Sequence, residues 1–144
     1  MKRLGVLFLS AMAIVEAVAQ TEDMRELVKF PPAAEVNLRL EMRNNLRALN
    51  DILSLVADGK LAEASVAAET ELGQSAMGKH RSQPMAARPG PHMPQAMHAI
   101  GMDGHKAASE FARIAATGDR DKTLAALPSL TTACVACHYS YRAR

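Results

Sequence analysis

Tryptophan is absent from this chain of 144 residues, aromatic side chains make up only 3% of it, and cysteine occurs twice. Two cysteines cannot build a disulfide scaffold, so the fold has to stand on a packed core or on a bound group. Alternating runs of β-branched and aromatic residues are missing after Gln20, which argues against a sheet protein. No Lys/Arg-rich run occurs, and 17 Lys and Arg stand against 15 Asp and Glu for a net charge of +2. That balance excludes the electrostatic footprint of a nucleic-acid binder and a polybasic membrane patch. What the chain does have is 49% hydrophobic residues with 22% charged ones, a globular composition, in a length that allows one domain.

The longest apolar run lies at the start. Lys2 and Arg3 precede an apolar stretch from Leu4 to Val15, and Ala17-Val18-Ala19 offers a small-x-small cleavage site before Gln20. About a dozen apolar residues fall short of the roughly 20 that a spanning helix needs. Residues 1–19 therefore read as a cleaved secretory signal and 20–144 as the working domain, placed outside the cytoplasm and with no membrane association once the signal is gone. Removal of Lys2, Arg3 and Glu16 leaves a net charge of +1.

Helical periodicity fills the rest. Met42, Leu46, Leu49, Leu53 and Val56 recur at spacings of three and four and predict the inward seam of a first helix that ends at Asp58-Gly59. An Ala-rich second helix is expected from Leu61 to Met77, followed by an irregular stretch from Gly78 to Pro94 that holds five Pro and Gly residues after its first. Met97, Gly101, Gly104, Ala108, Phe111 and Ala115 mark a third helix with Pro94 in its first turn and its end near Gly118. Leu124, Leu127, Thr131, Cys134, His138 and Tyr141 mark a fourth, which Pro128 should kink or split. The expected fold is all-α, an up-down-up-down four-helix bundle. Phe30, Phe111, Tyr139 and Tyr141 are its only aromatics, so the interior is thin unless a large apolar object fills it.

The fourth helix names that object. Cys134-Val135-Ala136-Cys137-His138 matches the c-type haem attachment pattern. Two thiols three residues apart on a helical turn can each add to one vinyl group of a haem edge, and the next imidazole can reach the iron as proximal ligand. A thioredoxin-like dithiol would want a βαβ context, and a zinc site would want a second knuckle; neither is evident. The expected cofactor is one covalently attached haem c, held by Cys134, Cys137 and His138. Arg142, four residues after His138, is expected on the same helical face, near the imidazole or a propionate, or else free at the helix end.

Attachment near the chain's end, as CxxCH followed by Tyr141-Arg142, resembles the class II c-type cytochromes, the family of cytochrome c′ and the low-spin cytochrome c-556 type. The resemblance covers the domain by architecture and its last dozen residues by motif. It implies a haem inside a four-helix bundle, a periplasmic location, a homodimer as a common state, His138 as proximal ligand and a distal side formed by the first helix. In the low-spin members it also implies a methionine ligand early in that helix before a basic residue, as Met42-Arg43 stands here.

Geometry points to Met42 independently. If the first helix begins near Ala34, Met42 lies roughly 12 Å into it, while His138 lies roughly 9 Å from the chain's end at 1.5 Å per residue. Met97, Met102 and His105 on the third helix reach similar depth, and an iron without a sixth protein ligand is the remaining arrangement. A closed His/Met site suits electron transfer, with redox partner proteins met transiently; an open site suits binding of nitric oxide or carbon monoxide. His80, Met85, His92, Met93, Met97 and His98 crowd the irregular stretch and the start of the third helix, a ligand mixture that suits copper, though at no fixed spacing. No distal acid–base constellation can be named, so an enzyme of the peroxidase kind is not expected. A surface so near neutrality predicts weak electrostatic docking.

Overall fold

The structure is a computed structural model that describes residues 22–144; the expected signal segment lies outside the described residues. The described residues are mostly helical, with four α-helices among them: α1 over Pro32–Ala57, α2 over Leu61–Ala67, α3 over Gln95–Ala115 and α4 over Arg120–Ser140. α2 runs directly into a π-helical turn over Ala68–Leu72. Between that turn and α3 come three short 3₁₀ turns, Gln74–Ala76, Met85–Ala87 and Gly90–His92. Glycines stop α1 and α3: Gly59 and Gly118 have φ of 75° and 73°, the left-handed conformation that closes a helix end without a Cβ clash. Asp119 caps α4 by accepting from the Lys122 backbone N–H at 3.0 Å.

The helix ends meet in pairs. Arg120 at the start of α4 donates to the Ala57 carbonyl at the end of α1, 3.4 Å away. At the opposite end two three-residue strands, β1 over Glu26–Val28 and β2 over Tyr141–Ala143, pair in parallel with Glu26 opposite Tyr141. The Phe30 N–H donates to the Arg144 carbonyl at 3.0 Å and the Arg144 N–H to the Val28 carbonyl at 3.1 Å, so the chain's tail is tied to the entry of α1. This strand pair escaped the sequence reading because three residues carry no periodicity.

The core forms two clusters. The larger joins Ile52, Val56, Leu61, Ala64, Ala68, Ala108, Phe111, Ala112, Ala115 and Leu130. The smaller, beside the strand pair, joins Val28, Phe30, Ala34, Leu38 and Met97. Between them the helices change character. Residues 39–47 of α1, 98–107 of α3 and 131–140 of α4 contain no buried residue. Each stretch spans roughly 14 Å of helix.

Several expectations about helix faces shift. α1 buries Ala34, Leu38, Ala48, Ile52 and Val56, while Leu46 is 69% exposed and Leu53 43%. The small Ala48, 2% exposed, takes the buried position that the leucine spacing gave to Leu46. α4 buries Thr123 and Leu130 and half-buries Ala133 and Cys137, each one position before a residue of the expected stripe, so Leu124, Cys134 and His138 are exposed, while Leu127 and Thr131 of that stripe are half-buried. Pro128 does not split α4, which stays one helix. Pro128 and Leu124 are both exposed, so the turn that lacks this hydrogen bond lies on the outer side of α4. Pro94 sits one residue before α3, not within it.

Candidate functional site

Cys134, Cys137 and His138 lie in the last two turns of α4, just ahead of β2. Gly104 of α3 shapes this stretch: a Cβ there would come within 3.2 Å of the Ala133 Cβ, so α3 and α4 approach closely one residue before Cys134. Gly101, which continues the line of Met97, Gly104 and Ala108, is different. A Cβ added at Gly101 meets nothing within 4 Å, and the residue is exposed. The inward line of α3 thus opens at the level of the unburied band.

Cys137 is half-buried and packs against the smaller core cluster, together with Met42, Met93, Tyr141 and Ala143. Three methionines (Met42, Met93 and the buried Met97) therefore share one apolar cluster with the second cysteine of the CxxCH run. Cys134 is exposed, as is His138. Desolvation raises both thiols above their ordinary pKa, and the charge of Cys134 adds to the effect on Cys137. In the polypeptide with free thiols, alkylation by iodoacetamide at pH 8 should run slower than for an unstructured peptide thiol. Its rate should go on rising above pH 9, because the thiolate is the nucleophile and burial disfavours it. A rate profile that levels off below pH 8 would contradict this environment.

No family model, curated protein or solved structure matches the chain.

The remaining candidates divide by geometry. Met42 and Met97 join the Cys137 cluster, while Met102 is half-buried outside it. His105 has another task. Its Nδ1 donates to the carbonyls of Leu72 at 2.8 Å and Gly73 at 3.1 Å, closing the end of the π-helical turn. Arg142 does not share a helical face with His138, because α4 ends at Ser140 and Tyr141 turns to extended backbone. Its Nε instead donates to the Arg25 carbonyl at 3.3 Å and lies 3.6 Å from Asp23. Arg25 grips the same Asp23, Nη2 to Oδ2 at 2.7 Å, and this bond holds the Asp23 carboxyl well below the usual carboxylate range. The depth comparison from the chain's end also lapses, since the tail folds back along β1; the shared cluster is what brings Met42 and Cys137 together.

The imidazoles of the irregular stretch go separate ways. His80 Nε2 lies 3.4 Å from Glu41 Oε2, His92 faces the Met85 carbonyl, and His98 is exposed beside Gly90. Among the described residues no group of three or more His, Cys, Asp or Glu side chains is gathered closely enough to hold a metal ion. No helix among the described residues is long and apolar enough to cross a membrane.

Proposed function

We propose that this chain is a mono-haem c-type cytochrome that carries electrons outside the cytoplasm, built as an up-down-up-down bundle around the group. One observation carries the reading. Cys137 of the CxxCH run joins three methionines in one apolar cluster, beside a band where α1, α3 and α4 bury nothing and the inward line of α3 opens at Gly101. A large apolar group attached there would cover surface that the chain's own side chains leave uncovered, each Å² of it worth about 25 cal/mol.

Cys134 and Cys137 would hold the haem by thioether bonds, His138 would be its proximal ligand, and Met42 its distal one. When bound, the group supplies a one-electron couple whose potential is set by axial ligation, burial and hydrogen bonding. The chain's own residues do the rest. Phe30, Leu38 and Met97 exclude water from one side of the cluster. Asp23 and Arg25 lock the tail, and with it the last turn of α4, against the entry of α1. Arg142 belongs to that lock, so it is not the free arginine at a helix end, and Asp23 would compete with a propionate for its guanidinium. A homodimer through α1 and α2, on which Val36, Leu46 and Val66 are singly exposed, is what the resemblance implies. Nitric oxide or carbon monoxide binding is the alternative function, decided by the occupant of the sixth position.

The experiment is export of the full chain in a host that attaches haem c, followed by intact-mass and visible spectroscopy. A coloured product heavier than the signal-cleaved polypeptide by one haem is the expected result. A colourless product with both thiols titratable would remove the reading.

A further inference from the structure

The net charge of the described chain is small, but the fold sorts it. The segments that surround the Cys137 cluster (residues 22–43, 79–98 and 138–144) hold nine Lys and Arg against five Asp and Glu. The rest, residues 44–78 and 99–137, hold six against nine. The arrangement in space follows from the contacts: the tail lies along β1, and the irregular stretch is bonded to the first turns of α1 through Asn37 and the Ala87 carbonyl at 2.8 Å. The molecule is therefore basic at the end that carries the CxxCH run and acidic at the other. The expectation of weak electrostatic docking, drawn from net charge alone, does not hold once this separation is known.

The basic end also has an apolar centre. Val135 and Tyr139, one turn apart on α4, are 62% and 85% exposed and flank His138. Arg25 reaches the His138 carbonyl, 3.5 Å away, and Arg142 and Arg144 follow on the tail. Asp23 neutralises Arg25 and Arg142 in part. Lys29, Arg43 and Arg144 are exposed and have no carboxylate within 4.0 Å among the described residues. An apolar centre with a charged rim is the build of a transient protein interface.

The geometry points to this end as the docking surface for an acidic face of a redox partner protein, with Lys29, Arg43 and Arg144 as its steering charges and Val135 and Tyr139 as its contact. The inference rests on the electron-carrier reading. A protein partner fits better than a lipid surface because five carboxylates, among them Glu26 and Glu41, are interspersed with the cations: a protein face can set its own carboxylates against the cations and leave these five unopposed, whereas a layer of anionic headgroups meets cations and carboxylates alike. Steering by such a patch is strong at low ionic strength and fades when the Debye length falls below about 10 Å.

Two readouts test it on the haem-loaded protein. In stopped flow, one electron passes from the reduced protein to ferricyanide, which becomes ferrocyanide. This rate should fall at least about tenfold between low and high salt, while the rate with cationic tris(phenanthroline)cobalt(III) should rise. The double variant Lys29→Glu/Arg144→Glu should flatten both dependences; Lys60→Glu/Lys122→Glu, at the acidic end where α4 starts beside the end of α1, should not. Independently of electron transfer, calorimetry should show poly-L-glutamate binding at low salt that the first pair abolishes and the second leaves intact. Flat salt dependences and no poly-L-glutamate binding in a coloured protein would overturn the docking surface and leave the cofactor reading standing. A colourless protein would end the cofactor reading, and with it a redox partner for this surface. Equally tight binding to phosphatidylglycerol vesicles, lost in the same Lys29→Glu/Arg144→Glu variant, would overturn the protein partner in favour of a membrane.

Discussion

Replacement of Met42 by alanine in the haem-loaded protein is expected to abolish the weak absorption band at the red end of the visible spectrum and to let the reduced protein bind carbon monoxide, which the unmutated protein should ignore. The reason is ligand chemistry. A methionine sulfur opposite the imidazole closes the coordination sphere and raises the potential, and alanine offers the iron nothing. Met42 is singled out because it stands in the cluster with Cys137 and on α1, the helix whose entry is tied to the end of α4. The Met97→Ala variant is the control. It should keep the band while losing stability on the order of 2–5 kcal/mol, since Met97 is 6% exposed and its removal leaves a cavity. Loss of the band in Met97→Ala alone would move the ligand to α3. Rapid carbon monoxide binding by the unmutated protein would replace the electron carrier with a gas binder.

The largest effect on stability is expected at Phe111. It is 1% exposed, among the largest fully buried side chains, and its neighbours in the main cluster are mostly alanines. Alanines have no reach with which to collapse into a cavity, so Phe111→Ala should cost about 3–5 kcal/mol, measured as a lower midpoint in urea with the slope unchanged. Leu46→Ala should lie within about 0.5 kcal/mol of the parent in the monomer, because Leu46 projects into solvent. The reverse order would mean that the seam of α1 follows the leucines after all.

The helices were legible because their signal is repeated. Apolar residues three and four apart, the capping glycines at 59 and 118 and the proline-rich break before α3 all act within a few residues of themselves. The faces were less legible. On α1 the leucine spacing pointed to Leu46 and Leu53, yet Ala48 and Ile52 are the buried residues. Periodicity weighs a leucine above an alanine, whereas close helix packing can prefer the alanine. On α4 the same bias favoured Leu124, one position from Thr123, which is fully buried with its hydroxyl donating to the Asp119 carbonyl at 2.7 Å. Arg142 was placed by helical spacing on a residue that the helix never reaches. A strand of three residues ends α4 early and gives the guanidinium to Asp23. Met93 stands among the His and Met side chains whose types suit copper; its place beside Cys137 depends on the path of the irregular stretch, which has no period to read.

By itself the sequence determined two things: that the chain is helical, and that two thiols and an imidazole stand together at spacings suited to a tetrapyrrole. Both are properties of residues close along the backbone, where a few bonds dictate what can face what. Only the tertiary structure decided that Cys137, Met42, Met93 and Met97 meet in one cluster, and that the charges separate into a basic and an acidic end. Those facts depend on segments 40 or more residues apart being brought alongside one another, and no local pattern encodes where a bundle places its strands, its break and its tail.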